Sequence, residues 1–297
     1  MKLALNYSHH AAALLAAQAI EIDLFKIPPW PDQVAAAERL RPVYVHFPLS
    51  VGSGRGDAVS RKGQGVDWQE VERWLAQTST PFVNLHLTPD VRDYPGRAFD
   101  DLSPDHVAEV TARLISDVAA VVARFGPERV IVENVHGYSR AEMQAAILPQ
   151  VIAAVVAATG CGLLFDLSHA RLAAGLLGMD LAAYTAALPL HRLRELHLTG
   201  IQPLNGERSR RIAAAGVDAD TLARLSHRPL DHMPLTQADW PVMAWARGQI
   251  AAAAWAKPAI VAIECGGVGE LWGNLTDPET LAAQVPPLRR LFSAEGG

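Results

Sequence analysis

Short runs of β-branched and other apolar residues alternate along this chain with longer Ala- and Leu-rich segments, and no other feature limits its fold as much. The alternation is that of βα units around a parallel sheet, because each strand is covered by its crossover helix and reads as a nearly continuous apolar run. Eight candidate strands follow: Leu3–Asn6, Glu21–Phe25, Val43–Phe47, Phe82–Leu87, Val130–Asn134, Gly162–Asp166, Leu193–Leu198 and Ile260–Glu264. Pro104–Phe125 predicts a helix, opened by Ser103 as cap and Pro104 at the first helical position. Arg140–Ala158 predicts a second, kinked or broken at Pro149. Linkers are short except Ser50–Val66, which is Gly-rich and charged, and Gly200–Pro258, a long excursion before the last strand.

No Pro/Ser linker or shift of composition divides the 297 residues, so a single domain over 1–297 is expected. Half the residues are hydrophobic, enough for a large core. Eight βα units fit an open doubly wound sheet or a closed (β/α)8 TIM barrel. The first strand lacks the glycine-rich phosphate turn of the former, and the polar residues gather at strand ends, where the barrel builds its sites. The barrel is therefore the expected fold. Lys and Arg total 26 against 31 Asp and Glu, a net charge of −5. With no basic stripe, a nucleic-acid partner is not expected. Two cysteines, Cys161 and Cys265, cannot build a disulfide framework, which suits a cytoplasmic setting. The longest apolar stretch, Ala145–Ala158, holds Pro149 and Gln150 and is too short to span a bilayer, so no membrane partner is expected.

Each of the last six candidate strands ends in a potential metal ligand: His46, His86, Glu133, Asp166 with His169 three residues on, His197 and Glu264. The long excursion adds Asp231 and His232. Taken singly, each has an ordinary reading: a hydrogen-bonded histidine, or Asp166 as a helix cap. Taken together, four carboxylates at one barrel rim would repel one another, and Lys26, ending the second strand, is the main cation near them. Metal dications resolve the repulsion, and five histidines with four carboxylates suffice for two or three ions. Nitrogen and oxygen donors without thiolate suit zinc, iron or manganese. Glu195 sits two residues before His197 as a candidate hydrogen-bond acceptor for a ligand histidine. Cys265 should point away from the pocket by strand alternation. His9, His10, His106, His191 and His227 fall in helical or loop segments and are expected at the surface or as caps.

The ligand order His, His, Glu, Asp-x-x-His, His, Asp with His, Glu resembles the xylose-isomerase-like barrel superfamily, which includes the zinc endonucleases of the endonuclease IV type. The run Leu163-Leu-Phe-Asp-Leu-Ser-His169, continuing through Gly178-Met-Asp180 to Leu196-His-Leu-Thr-Gly200, is similar to the multinuclear non-haem iron-dependent oxidases of the methanobactin-biosynthesis type, as is Val132-Glu-Asn134. The resemblance implies iron ligands at His46, His86, Glu133, Asp166, His169, His197, Asp231, His232 and Glu264. It also implies peptide cysteines as substrate, presented by a partner protein. The chain departs from the pattern where Asp231 and His232 are adjacent, since one residue usually separates them, and where Leu3-Ala-Leu-Asn6 replaces a glycine-rich first strand.

Three activities remain open at this stage. An iron-dependent oxidase acting on a peptide or small molecule comes first. A sugar isomerase or epimerase would use manganese or magnesium, with Glu133 or Glu264 moving a proton and Lys26 assisting. A zinc phosphoesterase is the third.

Overall fold

A computed structural model describes residues 1–60, 62–204, 206–226 and 228–293. Its strands, in chain order, are β1 (Lys2–Asn6), β2 (Leu24–Ile27), β3 (Val43–Val45), β4 (Leu49–Ser50), β5 (Val59–Ser60), β6 (Val83–His86), β7 (Val130–Glu133), β8 (Gly162–Asp166), β9 (Leu193–Leu198), β10 (Gly200–Pro203), β11 (Pro229–Met233) and β12 (Ile260–Ile263). The chain divides into two units. One comprises Met1–Tyr44, His197–Ala253 and Ala259–Gly297, and the other Val45–Leu196 and Ala254–Pro258.

In the first unit the strand order is β3-β2-β1-β12-β9. β1 pairs in parallel with β2, Asn6 opposite Lys26, and with β12, Leu5 opposite Ile263. Ala4, Leu24, Tyr44, Ile260 and Ala262 pack together as a buried cluster. The long excursion is structured: β10 and β11 form an antiparallel pair, joined by the helices Gly206–Ala214 and Ala219–Leu225. Ile212, Leu225, Leu230, Met233 and Leu275 give it a core of its own.

In the second unit the order is β9-β8-β7-β6-β4-β5. β6, β7 and β8 are parallel, with His86 opposite Glu133 and Glu133 opposite Leu164. The Pro104–Phe125 helix lies where the sequence placed it and buries Val110, Leu114, Val118 and Val121, one stripe at helical spacing. Pro149 breaks the other predicted helix into a 3-10 turn, Gln144–Ile147, and a helix, Pro149–Thr159, that stops at Gly160 in the left-handed conformation (φ 69°).

Some boundaries move. β2 begins at Leu24 because Glu21 is exposed, so Lys26 lies inside the strand instead of beyond it. β3 ends at Val45, leaving His46 just past it. His106 is not at the surface: it is fully buried on the first turn of its helix, edge-on to Tyr94 at 5.5 Å. His9, His10 and His191 are exposed as expected, and His227 lies outside the described residues.

Candidate metal centre

Register alone brings His86 and Glu133 side by side at the ends of β6 and β7. His86 Nδ1 lies 2.8 Å from the carbonyl oxygen of Leu49. A carbonyl can only accept, so the ring hydrogen sits on Nδ1 and Nε2 presents its lone pair. His46 is placed differently: the Asn84 amide nitrogen, which can only donate, lies 3.2 Å from His46 Nε2 itself and also donates to the Phe47 carbonyl at 2.9 Å, so Nε2 of His46 is an acceptor too. The two Nε2 atoms are 3.1 Å apart, and Glu133 Oε2 lies 3.4 Å from the first and 3.3 Å from the second. Metal–ligand bonds of about 2.0–2.2 Å put neighbouring donors about 2.9–3.5 Å apart in tetrahedral or octahedral geometry. The spacing of this triangle falls in that range. Three acceptors facing one another are mutually repulsive, and a cation between them removes the repulsion.

Glu133 serves a second set with its other oxygen. His169 Nδ1 lies 3.6 Å from Glu133 Oε1 and 3.8 Å from Asp166 Oδ2, and donor atoms of Glu133, Asp166 and His169 lie within 4.8 Å of one another. Asp166 divides its oxygens: Oδ1 caps the Leu167–Leu176 helix, accepting from Ser168 N (2.7 Å) and His169 N (2.8 Å), while Oδ2 faces His169. The helix-cap and the ligand readings of Asp166 are therefore compatible. Asn134 fixes this corner. Its side chain exchanges two hydrogen bonds with the Asp166 backbone, at 2.8 and 2.9 Å, and its carbonyl accepts from His169 Nδ1 at 2.8 Å. Asn134 stood in the sequence as the last residue of Val132-Glu-Asn134, whereas Asn84 was not singled out. Asn84 shares a strand face with His86 by the period of two, which is the signal that marks it.

The first unit gathers Lys26, His197, His232 and Glu264. Glu264 is buried, and its two oxygens face different groups: Oε1 is hydrogen-bonded to the Lys26 ammonium, whereas Oε2 is 3.3 Å from His197 Nδ1 and 4.0 Å from His232 Nε2. Burial alone would raise its pKa; His197, Lys26 and His232, as neighbouring positive charges, more than offset this and hold the carboxyl well below the usual carboxylate range. His232 stacks on Trp272 at 4.8 Å and has φ +57°, a left-handed conformation rare for histidine. Its carbonyl accepts from Gly266 N at 3.0 Å. Gly266 (φ +72°) has no room for a side chain, since a Cβ there would lie 2.1 Å from Thr276 Oγ1. Asp231 is half-buried beside His232 on β11. Among the described residues, neither Asp231 nor His232 joins a set of three donors mutually within 4.8 Å.

Glu195 is buried, 2% exposed, on the same strand as His197. His136 packs edge-on against His169 at 5.4 Å. Both thiols are buried, and burial pushes the Cys265 thiol up to about 12. At pH 8 roughly one such thiol in ten thousand is ionised. Native protein treated with iodoacetamide at pH 8 is expected to take up no label, and urea-unfolded protein two equivalents, read by intact mass.

A parallel βα framework whose strand ends carry histidine and carboxylate donors defines a xylose-isomerase-like TIM barrel. Solved structures agree on that fold. A xylose isomerase domain-containing protein of Salmonella typhimurium is similar with a TM-score of 0.55 and 12% identity, over 99% of this chain and 97% of the other. D-psicose 3-epimerase crystallised with D-fructose is similar with a TM-score of 0.53 and 11% identity, over 99% and 100%. Residues 23–221 match the family of RiPP precursor modification enzymes MbnB/TglH/ChrH, and the chain belongs to that family. Curated relatives include a UPF0276 protein of Acaryochloris marina, 30% identical over 107 residues (36% of this chain and 39% of the relative). A UPF0276 protein of Bordetella pertussis is 33% identical over 118 residues, 40% of each chain. The chain thus spans about two fifths of the length of these relatives. Among the described residues, no helix is long and apolar enough to cross a membrane.

Proposed function

We propose that this chain is a metal-dependent oxidase that modifies a precursor peptide, with iron as its metal. The observation that carries the proposal is the convergence of His46, His86, Asp166 and His169 on the two oxygens of Glu133, in a chain whose family is described as modifying RiPP precursors. The ligands are His46, His86, Glu133, Asp166 and His169 in one unit; in the other, His197, Asp231, His232 and Glu264 supply a further set. Nitrogen and oxygen donors without thiolate suit iron, and zinc or manganese less specifically.

Bound iron would supply the redox chemistry. The chain's own groups do the positioning: the Leu49 and Asn134 carbonyls fix the ring orientation of His86 and His169. The substrate class is a cysteine-containing peptide, delivered by a partner protein in the cytoplasm. The fold resemblance to an epimerase, at 11% identity, supports the architecture alone and adds nothing in favour of sugar chemistry.

Protein purified without oxygen from iron-supplemented cells is expected to hold iron. It should change the mass of a cysteine-containing precursor peptide only when dioxygen is admitted. Tightly held zinc with iron in traces, or interconversion of ketohexoses with added manganese and no peptide modification, would overturn the reading.

A further inference from the structure

Lysine is almost never buried without a partner, because an ammonium taken out of water loses several kcal/mol of solvation. Lys26 is 6% exposed and lies within β2, opposite Asn6 of β1. Glu264 follows β12, on the other side of β1, where Ile263 is opposite Leu5. Two strand spacings of about 4.8 Å separate β2 from β12, and the four-carbon stem of lysine crosses the end of β1 to reach Glu264 Oε1. The remaining oxygen, Oε2, is the one that faces His197 and His232. His232 Nδ1 is buried and has no hydrogen-bond partner among the described residues. The carboxylate is therefore shared between a built-in monovalent cation and a pair of imidazoles.

We propose that Lys26 is a resident cation that weakens metal binding at Glu264. It occupies one oxygen, leaves Glu264 a single ligating atom, and places a positive charge beside any ion held by Glu264 and His197. An ion there binds less tightly than those on Glu133, whose two oxygens each serve a donor set, and it exchanges. Lys26 is on this account a charge-setting residue, not an acid or base. The inference rests on the metal-centre reading given above and goes beyond it by ranking the ions and naming what ranks them.

The test loads apo-protein with zinc as a redox-inert probe, and with ferrous iron under argon. The ions retained are counted after dialysis against a graded series of chelator concentrations. Lys26→Met removes the charge and keeps the length; Lys26→Gln does so with a polar end, in case the first variant folds poorly; Lys26→Arg keeps the charge. Wild-type protein is expected to release one class of ion at lower chelator concentration than the rest. Met and Gln variants should hold that class about tenfold or more tightly, and the Arg variant should match wild type. Glu264→Gln should lose that class alone. Equal or weaker retention in the Met and Gln variants overturns the proposal. The underlying metal reading fails separately, and is recognised when Glu133→Gln has the same metal content as wild type or when no variant takes up an ion; the latter result overturns both.

Discussion

Glu133→Gln is expected to empty both donor sets of the second unit at once, lowering their metal affinity by about three orders of magnitude and abolishing metal-dependent activity. The magnitude follows from charge. A unit charge about 4 Å from another contributes about 4 kcal/mol at an effective dielectric constant of 20, and a dication gains more. Glutamine keeps the size and one ligating oxygen but not the charge. His46→Ala provides the contrast. It removes one donor from the His46–His86–Glu133 triangle and leaves Glu133, Asp166 and His169 in place, so at least one ion should stay bound. Metal analysis of the two variants checks the difference. Melting of the metal-free forms checks the fold, and Glu133→Gln without metal is expected to melt within a few degrees of metal-free wild type. Retention of full metal content by Glu133→Gln would mean that the shared carboxylate is not the hub.

The candidate ligands were legible because strand ends in a parallel sheet are otherwise apolar, so that His86 after Val83-Asn-Leu and Glu133 after Val130-Ile-Val stand out by composition alone. The companion groups were less visible for two reasons. Several act through the backbone: the carbonyls of Leu49 and Asn134 orient His86 and His169, and any residue type has a carbonyl. Lys26 was visible as a cation at the edge of a strand, but its reach across β1 to Glu264 depends on strand order, which spacing does not supply. The adjacency of Asp231 and His232 looked like a departure from pattern. The left-handed backbone at His232 breaks strand alternation there, so spacing on β11 does not fix the direction of these side chains. The antiparallel pair β10–β11 escaped notice because Gly200-Ile-Gln-Pro203 carries Gly and Pro at its ends, and its partner lies about thirty residues on, opposite Leu230 and Met233.

The Gly-rich segment after β4 hides the second large effect. Gly52, Gly54 and Gly56 all have positive φ (110°, 76° and 70°), so every second amide turns to the same side and the three N–H groups form an anion-binding nest. The anion is the chain's own. Asp117, fully buried on the Pro104–Phe125 helix, accepts from Gly52 N at 2.9 Å, Gly54 N at 3.0 Å, Gly56 N at 2.8 Å and Ser53 Oγ at 3.2 Å. Tyr94 closes the loop from the other side by donating its hydroxyl hydrogen to the Gly52 carbonyl at 2.6 Å. Asp117→Ala strands these donors, the Gly52 amide among buried groups, where each unsatisfied donor costs about 1–3 kcal/mol. The expected loss is about 3 kcal/mol or more, roughly 6–12 °C in melting temperature. Asp117→Asn retains one accepting oxygen and should lose about half as much. The same substitutions should leave the metal content at low temperature nearly unchanged, because Asp117 holds the loop and contributes no ligand. A melting temperature within about 2 °C of wild type for Asp117→Ala would show that water replaces the carboxylate in the nest without loss, and that the glycine loop is held by Tyr94 and the β4–β5 pair instead.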